Sequence, residues 1–253
     1  MNMRSCRVVG LSILFSCILA NGVFAQSFTF NFDVPDQPLL DTGEWLSGGT
    51  PAPDDFVIVN NQLHVKQEAY VGGQWVYFPF EPQSGQVTVT WDWQYVGPET
   101  GDVDVGLNIS STANWGVSDP STMTFNEQGA MARMSSPTFD AINSDLNGAG
   151  TYGFIDSIDY HDGAVYHMRM EVDVEFNEFN LYGTREGETE EFVIGEFYGF
   201  RRGSDTVDYL SIWQSLNNLN DDGTVAQPDH PYVIIDNIVL TGDFTSVDSW
   251  SLF

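Results

Sequence analysis

The sequence predicts an all-β fold, a two-sheet antiparallel β-sandwich forming one domain behind a leader. Three observations predict it. Short runs of alternating apolar and polar residues recur between clusters of turn residues, the pattern of sandwich strands. Helix signals are nearly absent: Ala, Leu and Lys are scarce, while Val, Thr, Phe, Tyr, Trp and Gly are plentiful. The chain of 253 residues is long enough for one large β domain, and no linker or internal repeat divides it.

The elements follow in chain order. MNMRSCRVVGLSILFSCILANGVFA reads as a secretory signal, with Arg4 and Arg7 at its start, an apolar middle, and small residues at Val23 and Ala25 before a cut at Gln26. Its apolar run is too short for a membrane span. Residues 1–25 are therefore expected to be removed, leaving 26–253 as a single sandwich, secreted or periplasmic. Cys6 and Cys17 both lie in the leader, so the mature chain has no disulfide and no thiolate metal site.

FTFNFDVPD (28–36) opens the sandwich. Strands follow at 56–59, 62–68 and 75–80. QVTVTWDWQYV (86–96) sets Val87, Val89, Trp91, Trp93 and Tyr95 on one face, which makes both tryptophans core residues. Strands at 103–109 and 130–134 come next, then VYHMRMEVDV (165–174), with Tyr166, Met168, Met170 and Val172 on the apolar face. FNEF (176–179) reverses the chain, and strands at 179–183, 191–197, 208–214 and 232–240 complete the set. Segments 97–102, 110–129, 135–151 and 215–231 read as polar loops. Two stacked curved sheets of a jelly roll would use this number of strands.

The charge narrows the partners. Net charge is −28, and loss of Arg4 and Arg7 with the leader takes it to −30. Such a surface repels nucleic acid and anionic membranes, disfavours strongly anionic polysaccharides, and keeps a monomer in solution.

MEVDVEF (170–176) places Glu171, Asp173 and Glu175 at alternate positions, and a glycosidase needs paired carboxylates. On a straight strand Glu171 and Glu175 stand about 13 Å apart at Cα, so they must converge to cooperate. Glu186, Glu188 and Glu190 repeat the pattern, as chance allows in so acidic a chain. Arginine is rare, so Arg133, Arg169 and Arg201–Arg202 stand out. A polysaccharide lyase needs a His or Tyr base and a cation or amide to hold developing charge. His167 and Arg169 share a strand face with the carboxylates, and with Arg133 they define a candidate catalytic set. The bland alternative is that these arginines only pair with acids. Trp213, Trp115 and Trp75 are candidate sugar platforms. Asn218, Asn220, Asp222 and Gly223 partly match a calcium loop, and equally a plain turn.

MEVDVEF resembles the Glu-x-Asp-x-Glu signature of laminarinase- and lichenase-type β-glucanases. The longer stretch YHMRMEVDVEFNEFNLYGTREGETEEFVIGEFYGFRR (166–202), with FTFNFDVPD and the closing YVIIDNIVLTG (232–242), resembles secreted concanavalin A-like jelly-roll modules. In that alignment MEVDVEF falls at an ordinary hairpin, not at a catalytic strand. The resemblance implies a carbohydrate-binding module acting on extracellular polysaccharide. It leaves open a lyase or glycoside hydrolase with its site on the concave sheet, and a structural surface or matrix protein. It also implies a structural Ca²⁺ joining the first and last strands, with Asp33 and Asp236 as ligands.

Overall fold

A computed structural model describes residues 26–48, 55–66, 74–97, 103–112, 128–135, 137–214 and 231–242. The leader, Trp115 and the expected calcium loop lie outside these residues. Two antiparallel sheets account for the described chain, with one 3₁₀ turn at Leu39–Thr42. Among the described residues no helix is long and apolar enough to cross a membrane.

The larger sheet has nine strands. β1 (Gln26–Phe30) and β5 (Gln62–Val65) both pair with β16 (Tyr232–Gly242). β16 pairs on its other side with β7 (Gln86–Val96), β7 with β12 (Val165–Asp173), and β12 with β13 (Glu178–Arg185). β14 (Phe192–Gly199) follows β13, while β4 (Phe56–Val59) and β2 (Gln37–Pro38) extend the opposite side. The smaller sheet runs in the order β11 (Thr151–Gly153), β10 (Thr138–Asn143), β9 (Ala130–Ser135), β8 (Asp104–Ser110), β15 (Val207–Gln214), β6 (Gln74–Gln83), β3 (Leu46–Gly48).

The expected alternation sets the core. Val87, Val89, Trp91, Trp93 and Tyr95 are all buried, as are Met168, Met170 and Val172 opposite them. Phe139 of β10 crosses the interface between the sheets. Its ring stacks on Trp93 at 5.8 Å and meets Tyr166 edge-on at 4.8 Å. Phe30 and Phe78 close the interface further along, 4.7 Å apart.

The short strands β2, β3 and β11 are not among the expected elements, and two longer features also depart from them. β10 lies inside the segment read as a loop over 135–151, because its six residues sit between Ser/Pro and Asn/Gly clusters that dominate a sequence window. β16 carries a bulge between Asp236 and Val239, with Asn237 at φ 50°. One extra residue flips the alternation, so that Val233 and Ile235 face the core before the bulge and Ile238 and Leu240 after it.

Candidate functional site

The register divides the predicted catalytic set between opposite sides of the sandwich. His167, Arg169 and Glu171 project from β12 on the outward face of the nine-stranded sheet. His167 Nδ1 lies 2.6 Å from Asp92 Oδ1, and Asn237 donates to the other oxygen of Asp92 at 2.8 Å. Arg169 donates to Glu171 and, at 2.9 Å, to both oxygens of Glu191, with its guanidinium 4.3 Å over the Tyr182 ring. Burial pulls the Arg169 pKa down, but these two glutamates outweigh it and raise it. Glu171 is therefore occupied as an ion-pair partner. Glu175 is exposed in the turn beyond β12, so it does not continue the strand face of Glu171. The pair expected from MEVDVEF is one paired carboxylate and one turn residue.

Arg133 belongs to the other sheet. It stands opposite Asp140 on β10 and Gly106 on β8. Gly106 stands opposite Trp213, and Trp213 opposite Trp75. Directly opposed residues share a face, so Asp140, Arg133, Trp213 and Trp75 form one row across the sheet. The intervening residues Leu107, Ala132, Ile212 and Val76 point the other way, into the core. The row thus looks outward, away from the nine-stranded sheet and from His167, Arg169 and Glu171. Arg133 and those three residues do not make one site.

The row has a charged end and an aromatic end. Arg133 donates to Asp140 through Nε at 2.8 Å and a second nitrogen at 2.6 Å, and reaches Asp104 at 3.3 Å. Its guanidinium lies 3.5 Å over the Tyr152 ring. Burial alone would lower the Arg133 pKa, but the two aspartates raise it. Tyr152 is raised by burial, which wins over the lowering by Arg133 and Arg201. At the other end Trp213 lies over Gly106, where an added Cβ would come within 2.2 Å of the indole. Trp213 is 2% exposed and Trp75 9%. Neither offers the open platform expected of it, although both sit on the outward face. Between the two ends Asn108 donates to Ser211 at 2.5 Å and accepts from Ser110 at 2.8 Å.

Asp140, Asp104, Tyr152 and Asn108 were not among the predicted residues. Asp140 escaped because its strand read as loop, and Tyr152 because the three-residue β11 is too short to show a period. The one available signal was TFDAIN itself, an alternating run just after Arg133.

Asp33 and Asp236 lie near the join of β1 and β16. Burial raises the Asp236 pKa, backbone and Gln62 hydrogen bonds oppose this, and Asp92 and Asp33 add repulsion. Asp33 accepts from Asn31 at 2.7 Å. Among the described residues no group of three or more His, Cys, Asp or Glu could hold a metal ion.

No protein-family model matches the chain, and no curated protein matches it. Solved structures do. Lectin II from Ulex europaeus is matched over 85% of this chain and 97% of its own length, with 10% identity and a TM-score of 0.57. The alginate lyase Aly36B is matched over 87% and 98%, with 13% identity and a TM-score of 0.53. A sialidase is matched at 12% identity and a TM-score of 0.50, but this chain, 82% covered, spans only 17% of its length. Lectin I-B4 of Griffonia simplicifolia, in a metal-free form, gives a TM-score of 0.54 at 10% identity. With its two antiparallel sheets and their strand order, the chain is a β-sandwich with the concanavalin A-like jelly-roll fold.

Proposed function

We propose that the chain is a secreted or periplasmic protein that binds a neutral segment of extracellular polysaccharide at the charged end of the outward row, around Arg133, Asp104, Asp140 and Tyr152. The observation that carries this is the complete internal neutralisation of Arg133. Two aspartates hold the guanidinium over the Tyr152 ring. The cluster offers sugar hydroxyls a set of fixed carboxylate acceptors beside an aromatic ring, with the charge of Arg133 offset by its own aspartates, while Arg201 reaches the Tyr152 hydroxyl at 3.5 Å and donates to the Gly148 carbonyl. The acidic surface disfavours anionic chains in the same direction. The leader supports export, and the likeness in fold to lectins and to an alginate lyase supports a carbohydrate ligand.

Binding is favoured over catalysis for two reasons. Tyr152, the phenol nearest the arginines, is raised by burial, the wrong direction for a general base. Glu171 is committed to Arg169, and Glu175 stands off the strand. A weakly held calcium ion shared by Asp33 and Asp236 completes the proposal. Its support is the mutual repulsion of Asp33, Asp92 and Asp236, which a divalent cation would relieve.

A glycan array, run with reducing-end and 235 nm assays on the same sugars, tests the proposal. Neutral glycans should be retained with no new reducing ends or unsaturated products, and Tyr152→Ala should abolish retention while melting stays cooperative. Growth of 235 nm absorbance would make the chain a lyase instead. Retention of no glycan would leave the matrix role.

A further inference from the structure

A cavity lies where β1, the 3₁₀ turn and β4 meet, with none of Arg133, Asp104, Asp140 and Tyr152 in its lining. The chain from Phe30 through the 3₁₀ turn to Trp45 folds around a cavity of about 340 Å³, closed on one side by Ile58 of β4. That volume suits a small organic ligand. Its apolar wall is aromatic: Phe30 meets Trp45 edge-on at 5.4 Å, and Phe32 is buried beside them. Phe32 sits at φ 51°, in the left-handed region that a bulky residue seldom adopts, with the Val34 N–H bonded back to its carbonyl at 2.7 Å. Strain of this kind persists where surrounding structure demands it, often at ligand sites.

The polar side of the cavity is acidic. Glu44 and Asp41 line it, and no Lys, Arg or His does among the described residues. Glu44 is half-buried, and burial raises its pKa; among the described residues no donor or countercharge acts on its carboxyl. Three acids of the nine-stranded sheet do have partners: Asp92 has His167, Glu171 has Arg169, and Asp236 has Gln62. A partly desolvated carboxylate without a partner carries a cost, and a ligand carrying a donor cation would supply what the described residues do not.

We infer that this cavity binds a small organic ammonium ion, its apolar body against Phe30, Phe32 and Trp45 and its charged head on Glu44 with Asp41 behind it. An anion is repelled by both carboxylates and by the net charge of −28. A neutral molecule leaves Glu44 without a countercharge. Aromatic rings add attraction for the cation that they do not offer a neutral isostere. The site is independent of the polysaccharide proposal.

Calorimetry with phenethylammonium, phenethyl alcohol, phenylacetate and glucose tests it on the full mature chain. Phenethylammonium should bind, and the alcohol should bind about tenfold more weakly or less, the difference expected for one charge-assisted hydrogen bond. Phenylacetate and glucose should not bind. Glu44→Gln should lower the ammonium affinity about tenfold while leaving the melting temperature within a few degrees. Asp41→Asn, an exposed change that keeps the fold, should lower it by a smaller factor. Equal binding of ammonium and alcohol, binding unchanged by both substitutions, or binding of none of the four probes would overturn the inference. Glycan retention should be unaffected by either substitution.

Discussion

Replacing Arg133 by Met should destabilise the protein by more than any surface ion pair could. The Arg133 side chain is 18% exposed, that of Asp140 12% and that of Asp104 28%. Removing the cation leaves two carboxylates close together, one of them nearly desolvated. Breaking a buried pair by deleting one partner costs about 3–5 kcal/mol, and the partial exposure of Asp104 places this case near 3. At roughly 2–4 °C per kcal/mol for a domain of this size, the melting temperature should fall by about 6–12 °C. Thermal unfolding followed by circular dichroism reads this directly. A double-mutant cycle with Asp140→Asn isolates the pair: Arg133→Met should cost much less when Asp140 is already neutral, with a coupling of about 2 kcal/mol. Additivity within about 0.5 kcal/mol, or a single-mutant cost under about 1 kcal/mol, would show that the network is a solvated surface pair and remove the basis for the proposed site.

Trp213→Ala should cost about 3–5 kcal/mol, because a fully enclosed indole over Gly106 leaves a cavity that strand backbones cannot close; a fall of a degree or two in melting temperature would show the ring to be dispensable and return it to the list of sugar platforms. Glu175→Gln should leave both stability and any turnover unchanged, and Glu171→Gln should cost under about 1 kcal/mol because Arg169 keeps Glu191; hydrolysis of a β-glucan lost in both single mutants with folding intact would restore the catalytic assignment. The raised pKa of Asp236 means that the folded state holds its proton more tightly than the unfolded chain, so its penalty appears as pH rises from the ordinary carboxylate range through the raised value. Asp236→Asn should therefore raise the melting temperature near neutral pH and leave it unchanged below the ordinary carboxylate range, and an equal effect at both pH values would contradict this. Millimolar Ca²⁺ should raise the wild-type melting temperature relative to EDTA by mass action, and Asp236→Asn should abolish that rise; a wild-type curve that does not move removes calcium from the proposal.

The sequence by itself determined which residues go inside. Strand periodicity is a local property: Val87 to Tyr95 and Tyr166 to Val172 carry their facing in their spacing, and a pleated backbone admits one solution once one face is buried. That is why most strands, the core tryptophans Trp91 and Trp93, and the sandwich itself were legible. β10, hidden between clusters of turn residues, and β11, three residues long and without a full period, were not, and they carry Asp140 and Tyr152. Only the tertiary structure decided which outward face each polar row would join. Two sheets have two outward faces, and nothing local distinguishes them, so Arg133 could be grouped with His167, Arg169 and Glu171 until pairing of β9 with β8 and β10 set it on the opposite side. Burial of an outward residue is equally non-local: Trp213 alternates like a surface residue yet is enclosed. The aromatic cavity beside Glu44 depends on a turn at Phe32 that its sequence disfavours, and such a turn exists only where the rest of the fold holds it in place.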